Sequence, residues 1–218
     1  MRVIVTCGPA HAPIDQVRRI TNFSSGRLGV ELSNALSRAG HSVLCLKGEL
    51  ATTQVPLLPS VKCVPFSTND DLAGRLQLAS TADVVLHAAA LCDYEVDTVT
   101  DATGAVQTDA KIPSRSGGLM ITLKPARKIL PLLREVFPKA TIVGWKYELN
   151  GTREDAVAAG ARQIAEARVD LCVVNGAAYG DGFGLLAPDG SLRHVEDTAA
   201  LCAEFVRRFP TDGDRRPA

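Results

Sequence analysis

The chain has 218 residues, 24 Lys and Arg against 24 Asp and Glu, 46% hydrophobic residues and 5% aromatics, which excludes fibrous and disordered classes and suits a globular protein. A net charge of zero leaves no basic excess for gripping nucleic acid or a membrane surface, so the expected partners are small molecules. No run approaches the ~18 apolar residues of a membrane span, and a strand beginning at Arg2 leaves no room for a signal peptide, so a cytoplasmic protein is expected.

Six cysteines, at positions 7, 45, 63, 92, 172 and 202, form no CxxC pair and mostly sit in apolar runs. They read as reduced core residues rather than as disulfides or zinc ligands.

Short β-rich runs alternate with helical patterns along the chain. Arg2 to Cys7 reads as a strand, followed by a loop and an amphipathic helix from about Gly26 to Ala39, whose apolar positions Leu28, Leu32, Ala35, Leu36 and Ala39 share one face. Gly40 is a natural stop. Strands follow at His41 to Leu46 and Val61 to Pro65, then a helix capped by Asn69 or Asp70 and running to about Ser80, then a buried strand from Ala82 to Ala90. Residues 91–118 are rich in Asp, Thr, Ser and Gly and lack periodicity, which reads as an active-site lid. The alternation resumes with Leu119 to Leu123, a helix through Phe137, a strand Thr141 to Trp145, a helix from about Glu154 to Arg168 and a strand Leu171 to Asn175. Gly184 to Ala187 and Ser191 to Val195, joined by Pro188-Asp189-Gly190, read as a β-hairpin, and a last helix spans about Thr198 to Phe209. Residues 1–210 are thus expected to form one Rossmann-like α/β domain, with a mainly parallel sheet, helices on both faces and a C-terminal β-hairpin, and residues 211–218 a disordered tail.

Ligands of such sheets bind beyond the carboxyl ends of the strands. Three segments stand out there. Asn22-Phe23-Ser24-Ser25-Gly26 leads into a helix whose free N–H groups and dipole suit a phosphate; the alternative is a plain N-cap by Ser24 or Ser25. Ala88-Ala89-Ala90-Leu91-Cys92-Asp93 ends a strand in small residues that admit a flat ring against the backbone; the alternative is tight packing with Asp93 capping the next turn. Lys111, inside the irregular segment, is a cation that a mobile loop brings over a phosphate. No GxGxxG follows the first strand, and neither a Walker A loop, a GxSxG elbow nor an HExxH motif is present. His87, in an apolar strand, reads as a hydrogen-bonded core histidine.

Read together, the segment Pro13 to Gly26, Ala89 to Tyr94, Ala110-Lys111-Ile112, Leu123-Lys124, Val143-Gly144-Trp145, and Val173-Val174-Asn175 with Gly180 to Gly184 resemble the phosphopantothenate–cysteine ligase domain family. They occur in the family's order and span nearly the whole chain; no decarboxylase domain precedes them, so a stand-alone ligase is expected. The resemblance implies a two-step reaction with CTP (or ATP) and Mg2+, in which 4'-phosphopantothenate forms an acyl-nucleotide that L-cysteine then captures, in a homodimer. It further implies that Asn22 and Lys111 are catalytic, and that Ser24, Ser25, Gly26, Ala88, Ala89, Ala90, Asp93, Lys111, Lys124 and Trp145 contact the nucleotide. Arg18, Asn22 and Ala90 then contact the acid substrate, with Arg18 supplied across the dimer interface; no residue is assigned to the metal. The chain departs from the family's pattern at Arg127, Trp145, Asn175-Gly176, and at Gln163 and Ala167, where the family carries two lysines; Arg162, Arg168 and Lys146 are nearby cations. A diverged nucleotide-binding homologue and a short-chain dehydrogenase-like oxidoreductase are the alternative readings.

Overall fold

The computed structural model describes residues 1–79, 81–114 and 117–211. Its centre is an eight-stranded sheet in the order β12-β11-β10-β9-β6-β1-β4-β5. Six strands run parallel: β1 (Arg2–Cys7), β4 (Ser42–Gly48), β5 (Lys62–Phe66), β6 (Val84–His87), β9 (Thr141–Tyr147) and β10 (Leu171–Asn175). The expected hairpin, β11 (Phe183–Leu186) and β12 (Leu192–Val195), extends one edge antiparallel.

Alternate residues of each strand feed two cores. Ile4, Leu46, Val85, Ile142 and Val174 pack under α2 (Asn69–Leu78), α3 (Leu130–Val136) and α4 (Arg153–Ala167). Val5, Val43, Leu86, Val143 and Val173 pack under α1 (Arg27–Arg38) and α5 (Thr198–Arg208). Each fully buried Leu or Phe in these layers contributes roughly 1.5–3 kcal/mol of transfer free energy. All six cysteines are free thiols, four of them buried. Among the described residues, no helix is long and apolar enough to cross a membrane.

Four expectations need correction. Thr68, not Asn69 or Asp70, caps α2 by accepting the Asp71 amide. Neither Ser24 nor Ser25 is the N-cap of α1: Gly26 is, in a left-handed conformation at φ 75°, with no side-chain cap. The strand at Leu119 does not join the main sheet. As β8 (Leu119–Pro125) it pairs antiparallel with β7 (Tyr94–Asp101), inside the stretch read as irregular. Only Val99 of β7 is buried, so the ribbon has no apolar face to leave a period-2 signature. A fourth element, a short hairpin of β2 (His11–Pro13) and β3 (Arg19–Thr21), forms where a loop is expected. The expected tail lies, apart from Thr211, outside the described residues.

Candidate active site

The strand order reverses between β1 and β6, and at the carboxyl ends of these two strands Gly8 to Ala10, Ala88 to Leu91 and Asn22 meet. Ala88 to Ala90 prolong β6 alongside Gly8 to Ala10: Ala88 donates to the Thr6 carbonyl (3.1 Å), Ala90 to Gly8 (3.0 Å), and Ala10 back to Ala90 (3.0 Å). The Ala89 amide donates to Thr6 Oγ1 at 3.3 Å. The three alanine N–H groups are therefore taken by β1, and small side chains at these positions serve the close strand approach. Asp93 does not cap a turn; its exposed carboxylate is paired with Lys128.

Asn22 joins two of the segments, its Nδ2 donating to the Leu91 carbonyl at 2.7 Å. Gly26 sits where a Cβ would lie 3.0 Å from Ala51 Cβ and 3.2 Å from Gly8 Cα, so both φ and space demand glycine. Behind it, Arg27 N donates to Ser25 Oγ at 3.3 Å and the Ser25 carbonyl accepts from Thr53. The first turn of α1 carries no carboxylate, so the positive end of its dipole is left uncompensated by its own acidic side chains.

Arg18 and Lys111 are connected through backbone. Asp15, its side chain 1% exposed, accepts from the amides of Val17, Arg18 and Ile112, and Arg18 donates to the Ile112 carbonyl at 2.7 Å. The Gln16 amide donates to Ala110. Lys111 itself is exposed between these anchors. Burial raises the Asp15 carboxyl, but those three amides and the Arg18 charge more than offset it, holding the group below its usual range.

A cavity of about 410 Å³ opens between β6, β9, α3 and α4; Ala89, Leu91 and Asp93 line it, whereas Arg18, Asn22, Ser24 to Gly26 and Lys111 are not among its lining residues. Arg127, Lys128, Lys146 and Arg162 line it, with Asp93 and Glu166 as its carboxylates. Of the three cations adjoining the departures in α4, Lys146 and Arg162 therefore reach the cavity; Arg168 is not among its lining residues and ends α4 at φ 54°. Asn69, whose position gave only a capping signal in the sequence, cross-links the wall: its amide group donates to the carbonyls of Cys92 (2.8 Å) and Arg127 (3.2 Å) and accepts the Cys92 amide (3.2 Å). His87 also lines the cavity and bonds Thr6 Oγ1 through Nδ1 at 2.8 Å, as a core histidine should, and burial pushes its pKa down to about 4.

Two expected contacts point elsewhere. Lys124 lies on the ribbon, 3.4 Å from Glu95 and 3.5 Å from Asp97, whose hydrogen bonding and charge raise its pKa, and it is not among the cavity-lining residues. Trp145 meets the cavity from the end of β9, but its ring packs against Phe205 of α5, centroids 6.0 Å apart, in the opposite core layer. Among the described residues no group of three or more His, Cys, Asp or Glu side chains could hold a metal ion.

Residues 1–198 match the family model described as the DNA/pantothenate metabolism flavoprotein C-terminal domain. A coenzyme A biosynthesis bifunctional protein CoaBC from Thermococcus kodakarensis is 30% identical over 177 residues, covering 80% of this chain and 41% of that protein. The Bacillus subtilis CoaBC is 29% identical over 212 residues, 93% of this chain and 49% of that protein, so the chain spans under half the length of these relatives. The crystal structure of the DNA/pantothenate metabolism flavoprotein from Streptococcus pneumoniae superposes with a TM-score of 0.83 at 23% identity, covering 95% of this chain and 97% of that one. A Cab2 variant in complex with phosphopantothenate-cysteine gives 0.74 at 17% identity, covering 95% and 85%. With nine-tenths of its length matched, the chain belongs to the DNA/pantothenate metabolism flavoprotein C-terminal domain family.

Proposed function

We propose that the protein joins 4'-phosphopantothenate to L-cysteine through an acyl-nucleotide, with CTP as the nucleotide and ATP as the alternative. The observation that carries this reading is the meeting of Asn22 with Leu91 and of Asp15–Arg18 with Ile112, which brings family segments from three parts of the chain to one place.

The substrate carboxylate attacks the nucleotide α-phosphorus and pyrophosphate leaves; the cysteine amine then attacks the acyl carbon, releasing the nucleoside monophosphate and a proton. Two anions must approach each other, and the chain supports that approach with the positive N-terminal end of α1, which has no carboxylate in its first turn, the exposed Lys111 and the cavity cations. Asn22, neutral and hydrogen-bonded to Leu91 through its nitrogen, keeps its oxygen for the acyl region. Arg18, bound to Asp15 and Ile112, acts by fixing the Lys111 segment and keeps a partly exposed guanidinium for substrate phosphate. Were a Mg2+ to arrive on the triphosphate, Asp93 and Glu166 are the cavity carboxylates that would hold it, and it would supply charge neutralisation there.

A homodimer is part of the reading. Phe23 is fully exposed, and Val17, Ile20, Met120 and Leu123 are exposed on the hairpin and the ribbon, apolar side chains that a second copy would cover. Pyrophosphate release with CTP and with ATP, which should require 4'-phosphopantothenate and continue beyond one turnover only when cysteine is added, tests the activity, and none with either nucleotide overturns it. Sedimentation of the wild type against Phe23→Ser tests the dimer.

A further inference from the structure

Four residues on adjacent strands stand in one row on the cavity side of the sheet: Thr6 pairs His87, His87 pairs Gly144, and Gly144 pairs Cys172. Gly144 has no side chain, and the space is used. A Cβ there would lie 2.7 Å from Gln163 Nε2, so the amide of Gln163, descending from α4, rests over the glycine and donates to Cys172 Sγ at 3.3 Å. Gln163 Oε1 is left to accept. On the other side of the glycine, the Ala89 amide donates to Thr6 Oγ1, and the buried Thr6 hydroxyl has, among the described residues, no acceptor for its own proton other than His87 Nδ1 at 2.8 Å, so it donates there. This chain of donors leaves the proton of His87 on Nε2, and His87 lines the cavity.

We propose that His87 and Gln163, one donor and one acceptor converging over Gly144, form the floor of the cavity and select the ligand by reading a planar, neutral donor–acceptor edge, that of a nucleobase or an amide. The charges are arranged around them. Arg127, Lys128, Lys146 and Arg162 line the same cavity and suit the ligand's phosphates, while the buried imidazole, with its pKa near 4, offers no positive charge to an anion placed against it. A phosphate on the floor would face a carboxamide oxygen and an uncharged ring, and is disfavoured. The two residues therefore orient the ligand with its neutral edge inward and its anionic end outward. This deepens the proposed ligase reading by assigning its cavity a specificity pair.

Calorimetric titration of the full chain with CTP, ATP, 4'-phosphopantothenate and inorganic tripolyphosphate tests the assignment. His87→Leu and Gln163→Leu should each weaken one of the first three by about tenfold, the cost of one unpaired buried hydrogen-bonding group, and leave tripolyphosphate affinity unchanged. Which ligand is weakened separates a base edge from the pantothenoyl amide. His87→Gln, which keeps a donor, should retain most of the affinity. Equal losses for tripolyphosphate, no loss in either Leu variant, or a wild type that binds none of the four overturns the proposal. Should His87→Leu fail to fold, Gln163→Leu, half-exposed on α4, decides alone. A wild type that binds through these two residues but releases no pyrophosphate loses the ligase reading and keeps this one.

Discussion

The side chain of Asp15 and the backbone of Ile112, 97 residues apart, are tied directly: Oδ2 accepts the Ile112 amide at 3.3 Å, and Arg18, 3.4 Å from Asp15, takes the Ile112 carbonyl at 2.7 Å. The stretch expected to be a free lid is thus moored next to Lys111. Asp15→Ala should speed amide exchange at Ile112 and lower pyrophosphate release while the main sheet keeps its protection. Because the native carboxyl titrates below its usual value, the mooring is complete above the ordinary Asp range and fails as pH falls through the lowered native pKa. Unchanged exchange at Ile112 in the variant would show that the hairpin holds the segment by other means.

His87 gives a second pH signature of opposite chemistry. Burial lowers its pKa from 6.5 to about 4, so the unfolded chain binds a proton that the native state refuses. Its contribution is constant above pH 6.5, falls progressively between 6.5 and about 4, and levels off below, a total of about 3 kcal/mol. Urea unfolding at about pH 7 and about pH 4.5 should therefore show a smaller pH-dependent loss in His87→Leu than in the wild type. His41, lowered mainly by burial, leaves a residual slope in both.

Most of the central sheet was legible because parallel strands buried on both faces must be apolar along nearly their whole length, as Val84 to Leu86 and Leu171 to Val174 are. The β7–β8 ribbon was not, because an arm with one buried residue on β7 obeys no period. Lys111, Asp93 and the segment opening at Asn22 stood out by their positions, while their individual roles came from family resemblance. Asn69 was missed as a site residue because its role is to bond two carbonyls, Cys92 and Arg127, that are distant in sequence. Gln163 was visible only as a departure from the family's pattern, and its use depends on the missing side chain of Gly144 in another strand.

Gly29 fixes the start of α1 against β1. A Cβ at this position would fall 2.1 Å from Cys7 Cβ, a contact between a helix turn and a strand, neither of which yields easily. Gly29→Ala should cost about 1–3 kcal/mol and displace the first turn, weakening nucleotide binding as well. Cys7→Gly in the same chain, which removes the opposing Cβ, should restore part of both. Thermal melts and nucleotide titration of the two variants measure this, and a single variant as stable as the wild type would mean that the helix shifts freely.

Asn22 and Lys111 separate the two chemical steps. Lys111 is an exposed point charge held at its base by Ala110 and Ile112, placed to meet the charge that develops as pyrophosphate leaves. Lys111→Gln should slow acyl-nucleotide formation by about 2–4 kcal/mol in barrier with little effect on its capture by cysteine. Asn22→Asp keeps the side-chain shape but turns a donor to the Leu91 carbonyl, now at 2.7 Å, into a carboxylate facing it, and places a second negative charge beside the substrate acid. That variant should bind nucleotide nearly as well as the wild type but accumulate and turn over less intermediate, because both its loop and its acyl contact are disturbed. Rapid-quench sampling with and without cysteine distinguishes the two. Full activity in Lys111→Gln removes the lysine from the first step, and full activity in Asn22→Asp removes the acyl contact from the mechanism.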